Sequence, residues 1–211
     1  MELNERFRGY FPVVVDLETG GFDSQNNPLL EIGCQFLHWE DDRLVPGESG
    51  LWQVEPFPGS VIDPASTKVT GIDVNDPNRG GIDEKSAMAE FFSDVRKAMK
   101  SAGCHRAIVV AHNAAFDLGF LMATCARLGV KRIPFHPFST IDTASLGAVV
   151  YGHSVLAEVC RRAGIPFDSS MAHSASYDTE RTALLFCNIV NRWPYDPSPW
   201  LDKEAVTLPD A

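Results

Sequence analysis

Residues 11–21 read FPVVVDLETGG, an apolar, β-branched run with two acids near its end. This composition predicts a buried strand over residues 11–17, and the paired glycines predict a turn after it. Because successive strand side chains alternate between the two faces, Asp16 and Glu18 share one face. Two carboxylates on a buried face are costly unless they are paired or bind a metal. In isolation, such a pair is also typical of a strand that ends in solvent.

Strands and helices are predicted to alternate along the rest of the chain. Strands at 29–39 and 51–55 would open the fold as an antiparallel meander. Beyond them the pattern predicts a short helix at 64–69, a helix at 84–100, a strand at 107–111, a helix from an N-capping Asn113 to Leu128, an apolar edge that passes into a helix over 140–150, and helices at 154–163 and 176–192. This order fits a single α/β domain with a mixed sheet over residues 1–193, followed by an irregular proline-rich tail over 194–211.

The composition is that of one globular domain. The chain has 211 residues, of which 45% are hydrophobic, enough for a sizeable core. It lacks the apolar run of about 18 residues that spans a membrane, and its start, MELNERFRGYF, lacks signal-peptide character. Neither a membrane span nor secretion is therefore expected. Five scattered cysteines without a CxxC pair favour reduced, buried thiols in a cytoplasmic protein: Cys34, Cys104, Cys125, Cys160 and Cys187.

The net charge of −10 would by itself argue against a nucleic-acid-binding protein, whose surface is usually basic. Clustered acids that bind divalent cations contribute to such a total, however, and bound cations would offset part of it. Nucleic-acid binding would then depend on local basic patches rather than on the total charge.

Two further acids and a histidine occupy informative positions. Asp117 lies in the first turn of the helix after the 107–111 strand, and Asp178 opens the last helix. Each could simply complement a helix dipole. His173 lies in the polar loop before Asp178, where an exposed imidazole is a candidate general base, although a lone loop histidine is often incidental.

As a set, these residues predict phosphodiester hydrolysis that depends on divalent cations. Hard cations such as Mg²⁺ prefer carboxylate oxygens, and in-line hydrolysis benefits from two of them about 3.5–4 Å apart. Four carboxylates from one strand and two helix starts can hold both ions. His173 can then take the proton from the attacking water.

The segments VVVDLETGG, AHNAAFD and AHSASYDTERT resemble the three motifs of the DEDD superfamily of 3′→5′ exonucleases. The spacing of His173 and Asp178 is similar to that of its DEDDh branch. The resemblance implies a catalytic and metal-binding site with two Mg²⁺ ions, which Mn²⁺ can replace, formed by Asp16, Glu18, Asp117, His173 and Asp178.

Within this branch, the chain most resembles the ribonuclease T family, over about residues 4–193. Similar segments outside the three motifs include ERFRGYF, GIDVNDPNRG, AGCHRAI and KRIPFHPFSTIDT. The resemblance implies a ribonuclease H-like fold, with a mixed five-stranded sheet flanked by helices, and a homodimer. It also implies trimming of the 3′ ends of tRNA and other stable RNAs, with activity on single-stranded DNA ends and release of nucleoside 5′-monophosphates.

The same resemblance implies aromatic contacts to the substrate. Phe22, Phe116 and Phe138 match positions that stack on terminal bases, a sequence-tolerant contact worth roughly 1–3 kcal/mol per base. Phe116 could equally pack within its helix. Ala65 and Val69 depart from the family pattern, which has an acid and a further stacking phenylalanine there, so one base contact is expected to be weaker.

Basic residues are also implied in holding the body of the RNA. In the family, the basic patch of one subunit serves the active site of the other. The residues that we assign to this patch are Arg6, Arg8, Lys100, Arg106 and Lys131. Ordinary solubilisation of the surface is the alternative for any of them.

Two alternatives to an RNA-trimming enzyme remain open. A DNA proofreading or repair exonuclease of the same superfamily would share the motifs, because contacts to the 2′-OH are not visible in the sequence. A non-catalytic nucleic-acid-binding module could also use this fold, but it would be expected to lose acids of the site, and all five positions are intact.

Overall fold

A computed structural model describes residues 3–193, and the tail predicted over 194–211 lies outside the described residues. The chain is built on one five-stranded sheet, whose strands are β1 (Tyr10–Thr19), β2 (Leu29–Glu40), β3 (Arg43–Gln53), β4 (Arg106–Ala111) and β5 (Phe135–Asp142). Their order across the sheet is β3-β2-β1-β4-β5. Strands β1, β2 and β3 pair antiparallel, whereas β4 runs parallel to both β1 and β5, so the predicted mixed sheet is confirmed.

Helices flank this sheet, and short 3-10 turns at Leu3–Glu5 and Phe7–Gly9 precede it. The bounds are α1 (Pro64–Thr70), α2 (Glu84–Ser101), α3 (Ala115–Arg127), α4 (Thr143–Tyr151), α5 (Leu156–Ala163) and α6 (Ala175–Arg192). Helices α1, α2, α5 and α6, and strands β1, β2 and β4, agree with the predictions to within two residues at each end. The five cysteines are buried and free, as expected.

Helices α2 and α6 cover opposite faces of the sheet. Phe91 of α2 packs against Trp52 of β3, with ring centroids 5.4 Å apart, and Trp52 pairs with Ile32 of β2. The next residue, Gly33, faces the other way and contacts α6. Strand β1 lies at the centre of the sheet between these layers, and residues 13–15 are fully buried.

The third strand corrects the prediction of a strand at 51–55, because it begins at Arg43 and ends at Gln53. Pro46, Gly47 and Gly50 conceal the pattern of this segment, since proline and glycine usually interrupt strands. Strand β3 is at the edge of the sheet, where a residue that lacks an N–H donor is tolerated.

The fifth strand also departs from the predicted pattern. An apolar edge passing into a helix was expected from residue 140, whereas β5 already begins at Phe135 and α4 begins at Thr143. Strand β5 is an edge strand with mostly half-buried or exposed side chains, so it lacks the apolar run that marks a buried strand.

The prediction that Asn113 caps α3 is wrong. Helix α3 begins at Ala115, and Ala114 occupies the cap position without a side-chain hydrogen bond. Asn113 adopts a left-handed conformation with φ of 70°, and its backbone N–H donates to Asp142 Oδ1 at 2.9 Å. Asparagine tolerates this conformation well, so the residue serves a turn that joins β4 to the end of β5.

Gly33 allows α6 to lie directly against the sheet. A Cβ at this position would come within 2.5 Å of Thr179 Oγ1 and closer still to the carbonyl oxygen of Ala175. Gly33 is the cross-strand partner of Asp16. The missing side chain therefore brings the first turn of α6 close to the acidic face of β1.

We predict that Gly33→Ala destabilises the protein by about 1–3 kcal/mol, the usual cost of overpacking a tight interior. Displacement of α6 should also lower activity. Urea unfolding and a nuclease assay measure the two effects.

Gly119, within α3, provides a matched control because a Cβ there would meet nothing within 4 Å. Gly119→Ala should stabilise the protein by roughly 0.5–1 kcal/mol, since alanine favours the helix. Equal stability of the two variants would contradict the role of Gly33.

Candidate active site

Three carboxylates from distant parts of the chain meet at the end of β1. Asp16 and Glu18 come from β1, where they share a face, and Asp178 comes from the first turn of α6. One oxygen from each lies within 4.8 Å of the others. Such a group of oxygen donors has the chemistry and spacing to bind a divalent cation.

Asp178 contributes an oxygen without a protein partner. Its Oδ2 accepts a hydrogen bond from the backbone N–H of His173 at 2.9 Å. Its Oδ1 is buried and has no hydrogen-bond partner among the described residues. A buried carboxylate oxygen left without a donor is costly, so a cation in this cluster would satisfy it.

Asp117 lies beside this cluster rather than within it. The residue is buried in the first turn of α3, and its Oδ1 accepts the backbone N–H of Leu17 at 3.1 Å. Leu17 separates the two acids of β1, so this bond joins α3 to the acidic segment.

Burial and mutual repulsion disfavour the charged forms of these acids. Burial raises the pKa of Asp16 well above its ordinary value, and the charges of Asp117, Glu18 and Asp178 raise it further. Burial also raises the pKa of Glu18 to about 8 and that of Asp117 to about 8. A divalent cation would favour ionisation and reverse these shifts.

His173 lies in the loop before α6, as predicted. It adopts a left-handed conformation with φ of 65°, which is uncommon outside glycine and is often found at functional sites. The residue lines a cavity of about 400 Å³ together with Glu31, Gln53 and Arg79. His173 is therefore placed between this cavity and Asp178.

Two titratable residues near the site were missed in the sequence. Glu31 pairs across the strands with Glu18, and burial raises its pKa while Arg79 lowers it. His112 contacts Thr143 Oγ1 through Nδ1 at 3.0 Å and the carbonyl of Ser154 through Nε2 at 2.8 Å. Glu31 could have been noticed as an acid inside the apolar run LLEIGC. His112 gave no such signal, because its partners Thr143 and Ser154 are distant in sequence.

The three phenylalanines occupy two regions. Phe22 is 89% exposed and its ring lies 6.1 Å from that of Phe116, which is half-buried and also packs on Phe120. Phe138 is 80% exposed on β5, with its ring 4.4 Å from His136. Phe116 thus has a core contact in addition to its contact with an exposed ring.

Helix α1 borders the site at the end of β1. Ser66 donates its hydroxyl to the carbonyl of Thr19 at 2.5 Å. Ala65 and Val69 are exposed on this helix. The two positions that depart from the family pattern are therefore open to solvent on a helix that is hydrogen-bonded to the end of β1.

The predicted basic residues lie away from the carboxylates. Arg106 pairs with Tyr10 at the start of β1, and the Arg8 guanidinium lies 5.4 Å from the centre of the Tyr10 ring. Arg6 donates to the carbonyl of Trp193 at 3.2 Å. Lys100, in the last turn of α2, and Lys131, after α3, are both exposed.

The mixed five-stranded sheet, with carboxylates gathered at the end of its central strand, fits the ribonuclease H-like class of nucleases. A family model described as Exonuclease matches residues 13–186. The chain is 54% identical to ribonuclease T of Shewanella sp. (strain W3-18-1) over 193 residues, which cover 91% of this chain and 86% of that protein. It is 53% identical to ribonuclease T of Photorhabdus laumondii over 192 residues, which cover 90% and 88%.

The chain thus belongs to the ribonuclease T family of exonucleases. It is a 3′→5′ exoribonuclease of the DEDD superfamily, which confirms the predicted enzyme class. This membership also argues against a non-catalytic module.

The structure is similar to solved structures of E. coli exonuclease I. With the form in complex with a dT13 oligonucleotide, the TM-score is 0.68 at 16% identity, covering 88% of this chain and 42% of that one. The chain thus spans about two-fifths of that neighbour, and the likeness shows the fold alone. Separately, no helix within residues 3–193 has the length and apolar character to cross a membrane.

In the cation-free protein, we predict that the free energy of unfolding falls as the pH rises from about 5 to 8. Because burial raises the pKa of Glu18 from 4.5 to about 8, the folded state holds a proton that the unfolded chain releases near pH 4.5. The resulting stabilisation is full below that pH and is lost as the pH passes the folded value. Urea unfolding in the presence of a chelator measures this dependence.

The control for this pH dependence is Glu18→Gln, which cannot ionise. Its unfolding free energy should vary less with pH than that of the wild type. An unchanged pH dependence in this variant would show that the Glu18 carboxyl is not responsible.

Proposed function

We propose that this enzyme trims the 3′ ends of tRNA and other stable RNAs with two Mg²⁺ ions, which Mn²⁺ can replace, and releases nucleoside 5′-monophosphates. Single-stranded DNA ends are additional substrates. The observation that carries the proposal is the partly buried cluster of Asp16, Glu18 and Asp178, in which Asp178 Oδ1 has no hydrogen-bond partner within residues 3–193. Relatives named ribonuclease T and fold neighbours bound to oligonucleotides support it.

In the proposed mechanism, Asp16, Glu18 and Asp178 would hold the cations, with Asp117 beside them. Bound cations would supply the Lewis acidity that favours formation of the nucleophile and stabilises the leaving 3′ oxygen. His173 takes a proton from the attacking water. Because its backbone N–H bonds Asp178 Oδ2, the general base and a cation-holding carboxylate are fixed relative to each other.

Phe22, Phe116 and Phe138 are proposed to stack on the terminal bases. The exposed ring of Phe22 supports this role, since stacking needs a free face. At Ala65 and Val69, small or aliphatic side chains replace an acid and an aromatic ring. One base contact is therefore weaker, and selection among terminal bases is correspondingly relaxed.

A homodimer is proposed because the basic patch and the site lie at opposite ends of β1. The strand from Tyr10 to Asp16 spans roughly 20 Å. The patch is therefore badly placed to guide a short 3′ end into the site of its own chain.

Next to Arg6 lies an apolar groove of about 560 Å³, lined by Phe7, Ile141, Leu146, Val149, Val150, Phe186, Ile189, Val190 and Trp193. Val149 is 85% exposed, and a second copy would cover it.

The decisive assay uses a 5′-labelled tRNA with an extended 3′ end. The wild type with Mg²⁺ should shorten it from the 3′ side and stop near the CCA end. His173→Ala should lower turnover by at least about 100-fold, because loss of a general base typically costs that much, while RNA binding is kept. Gel shifts measure the binding.

Asp16→Asn at saturating Mg²⁺ serves as the second variant and should also be inactive. Retained activity there would refute the cation scheme.

A matched single-stranded DNA tests the rival function. Faster cleavage of that DNA than of the extended tRNA would favour a DNA repair exonuclease.

Neutralising the basic patch should weaken RNA binding and flatten its salt dependence. Each lost phosphate contact reduces the slope of log affinity against log salt by about 0.7 for a single strand. Replacing Arg6, Arg8, Lys100, Arg106 and Lys131 by glutamine should therefore lower the slope by up to about 3–4. An unchanged slope would rule out the patch.

Subunit mixing tests whether the patch acts across the dimer. The patch variant keeps an intact site, whereas Asp16→Asn keeps an intact patch. Mixed dimers should recover activity if the patch of one subunit serves the site of the other. Failure to recover activity, despite mixed dimers in sedimentation, would show that each chain uses its own patch.

A further inference from the structure

Glu31 is a further carboxylate on the face that carries the site. It is the direct cross-strand partner of Glu18, so both side chains lie on the same side of the sheet. Its negative charge acts on Asp16 as well as on Glu18. Yet Glu31 is not one of the three residues whose oxygens gather within 4.8 Å of one another.

The local backbone holds Glu31 in this position. Glu18 pairs with Glu31 and Thr19 pairs with Leu29, so Leu30 is an extra residue in β2. The carbonyl of Leu30 accepts the N–H of Val54 at 2.7 Å. Bulges of this kind often lie beside active sites, where they aim a side chain.

Arg79 secures the same bulge from the loop before α2. Its guanidinium donates to the carbonyl of Leu30 at 2.6 Å and to that of Val54 at 2.9 Å. The Arg79 side chain is only 6% exposed, and its positive charge acts on Glu31. A buried cation thus stabilises an acid placed opposite another acid, an arrangement that otherwise destabilises a strand pair.

We infer that Glu31 is a positioning residue that sets the cation affinity of the site through Glu18, without being a direct ligand. The inference rests on the proposed function, because it requires a cation at the carboxylate cluster. A carboxylate outside the ligand set adds attraction for the cation and orients the ligand next to it. Glu31 also lines the cavity that contains His173, so its charge lies on the same side of the site as the proposed general base.

The test measures cation binding without RNA. Thermal unfolding of the chelator-treated full chain is followed as Mn²⁺ or Mg²⁺ is added. Glu31→Gln should raise the cation concentration for half of the stabilisation on the order of 10-fold. Glu31→Asp should stay near the wild type. In the absence of cation, Glu31→Gln should change the melting temperature little, because the substitution removes both the repulsion from Glu18 and the attraction of Arg79.

Glu40→Gln is the matched control, since Glu40 lies at the exposed far end of the same strand, roughly 30 Å away. It should titrate like the wild type. If Glu31→Gln and Glu40→Gln weakened cation binding equally, the effect would come from the total charge of the protein, and the inference would be overturned. The inference would also be overturned if Glu31→Gln bound the cation as tightly as the wild type while Asp16→Asn was no longer stabilised by it. No response in the wild type would instead overturn the cation site and the proposed function with it.

Discussion

Repulsion among carboxylates on one buried face of β1 is the constraint on which the site depends. Asp16 and Glu18 share that face, and α6 adds Asp178. In a buried environment each charge costs solvation and raises the pKa of its neighbours. Such an arrangement is unfavourable in the empty protein and becomes favourable with divalent cations. The proposed dependence on metal ions follows from this electrostatic imbalance.

The fold supplies the contacts that keep these acids together. Gly33 lets α6 approach β2, which positions Asp178 over the end of β1. The parallel strand β4 leads into α3, from which Asp117 bonds the backbone of Leu17. The four acids are therefore attached to three rigid elements, with Asp16 and Glu18 on β1, Asp117 on α3 and Asp178 on α6. Carboxylates supported in this way are held in place before substrate or cation arrives.

The position of the site along β1 separates catalysis from the proposed binding of the RNA body. The carboxylates lie at the end of this strand, near the exposed Phe22, whereas Arg8 and Arg106 lie near its start. The proposed patch would allow a chain with a net charge of −10 to bind nucleic acid locally. The likeness to exonuclease I at 16% identity shows that this sheet tolerates wide variation of the remaining sequence.

The sequence by itself determined the central strand with its paired acids and most of the helices, and its motifs predicted the five residues of the candidate site. Those features depend on neighbouring residues: alternation along a strand, helical periodicity and short motif spacings. Tertiary structure alone decided the edge strands β3 and β5, the left-handed turn at Asn113, the partnering of Glu18 with Glu31 and the unpartnered oxygen of Asp178. These features depend on contacts between segments that are distant in the chain, and local sequence patterns do not predict such contacts.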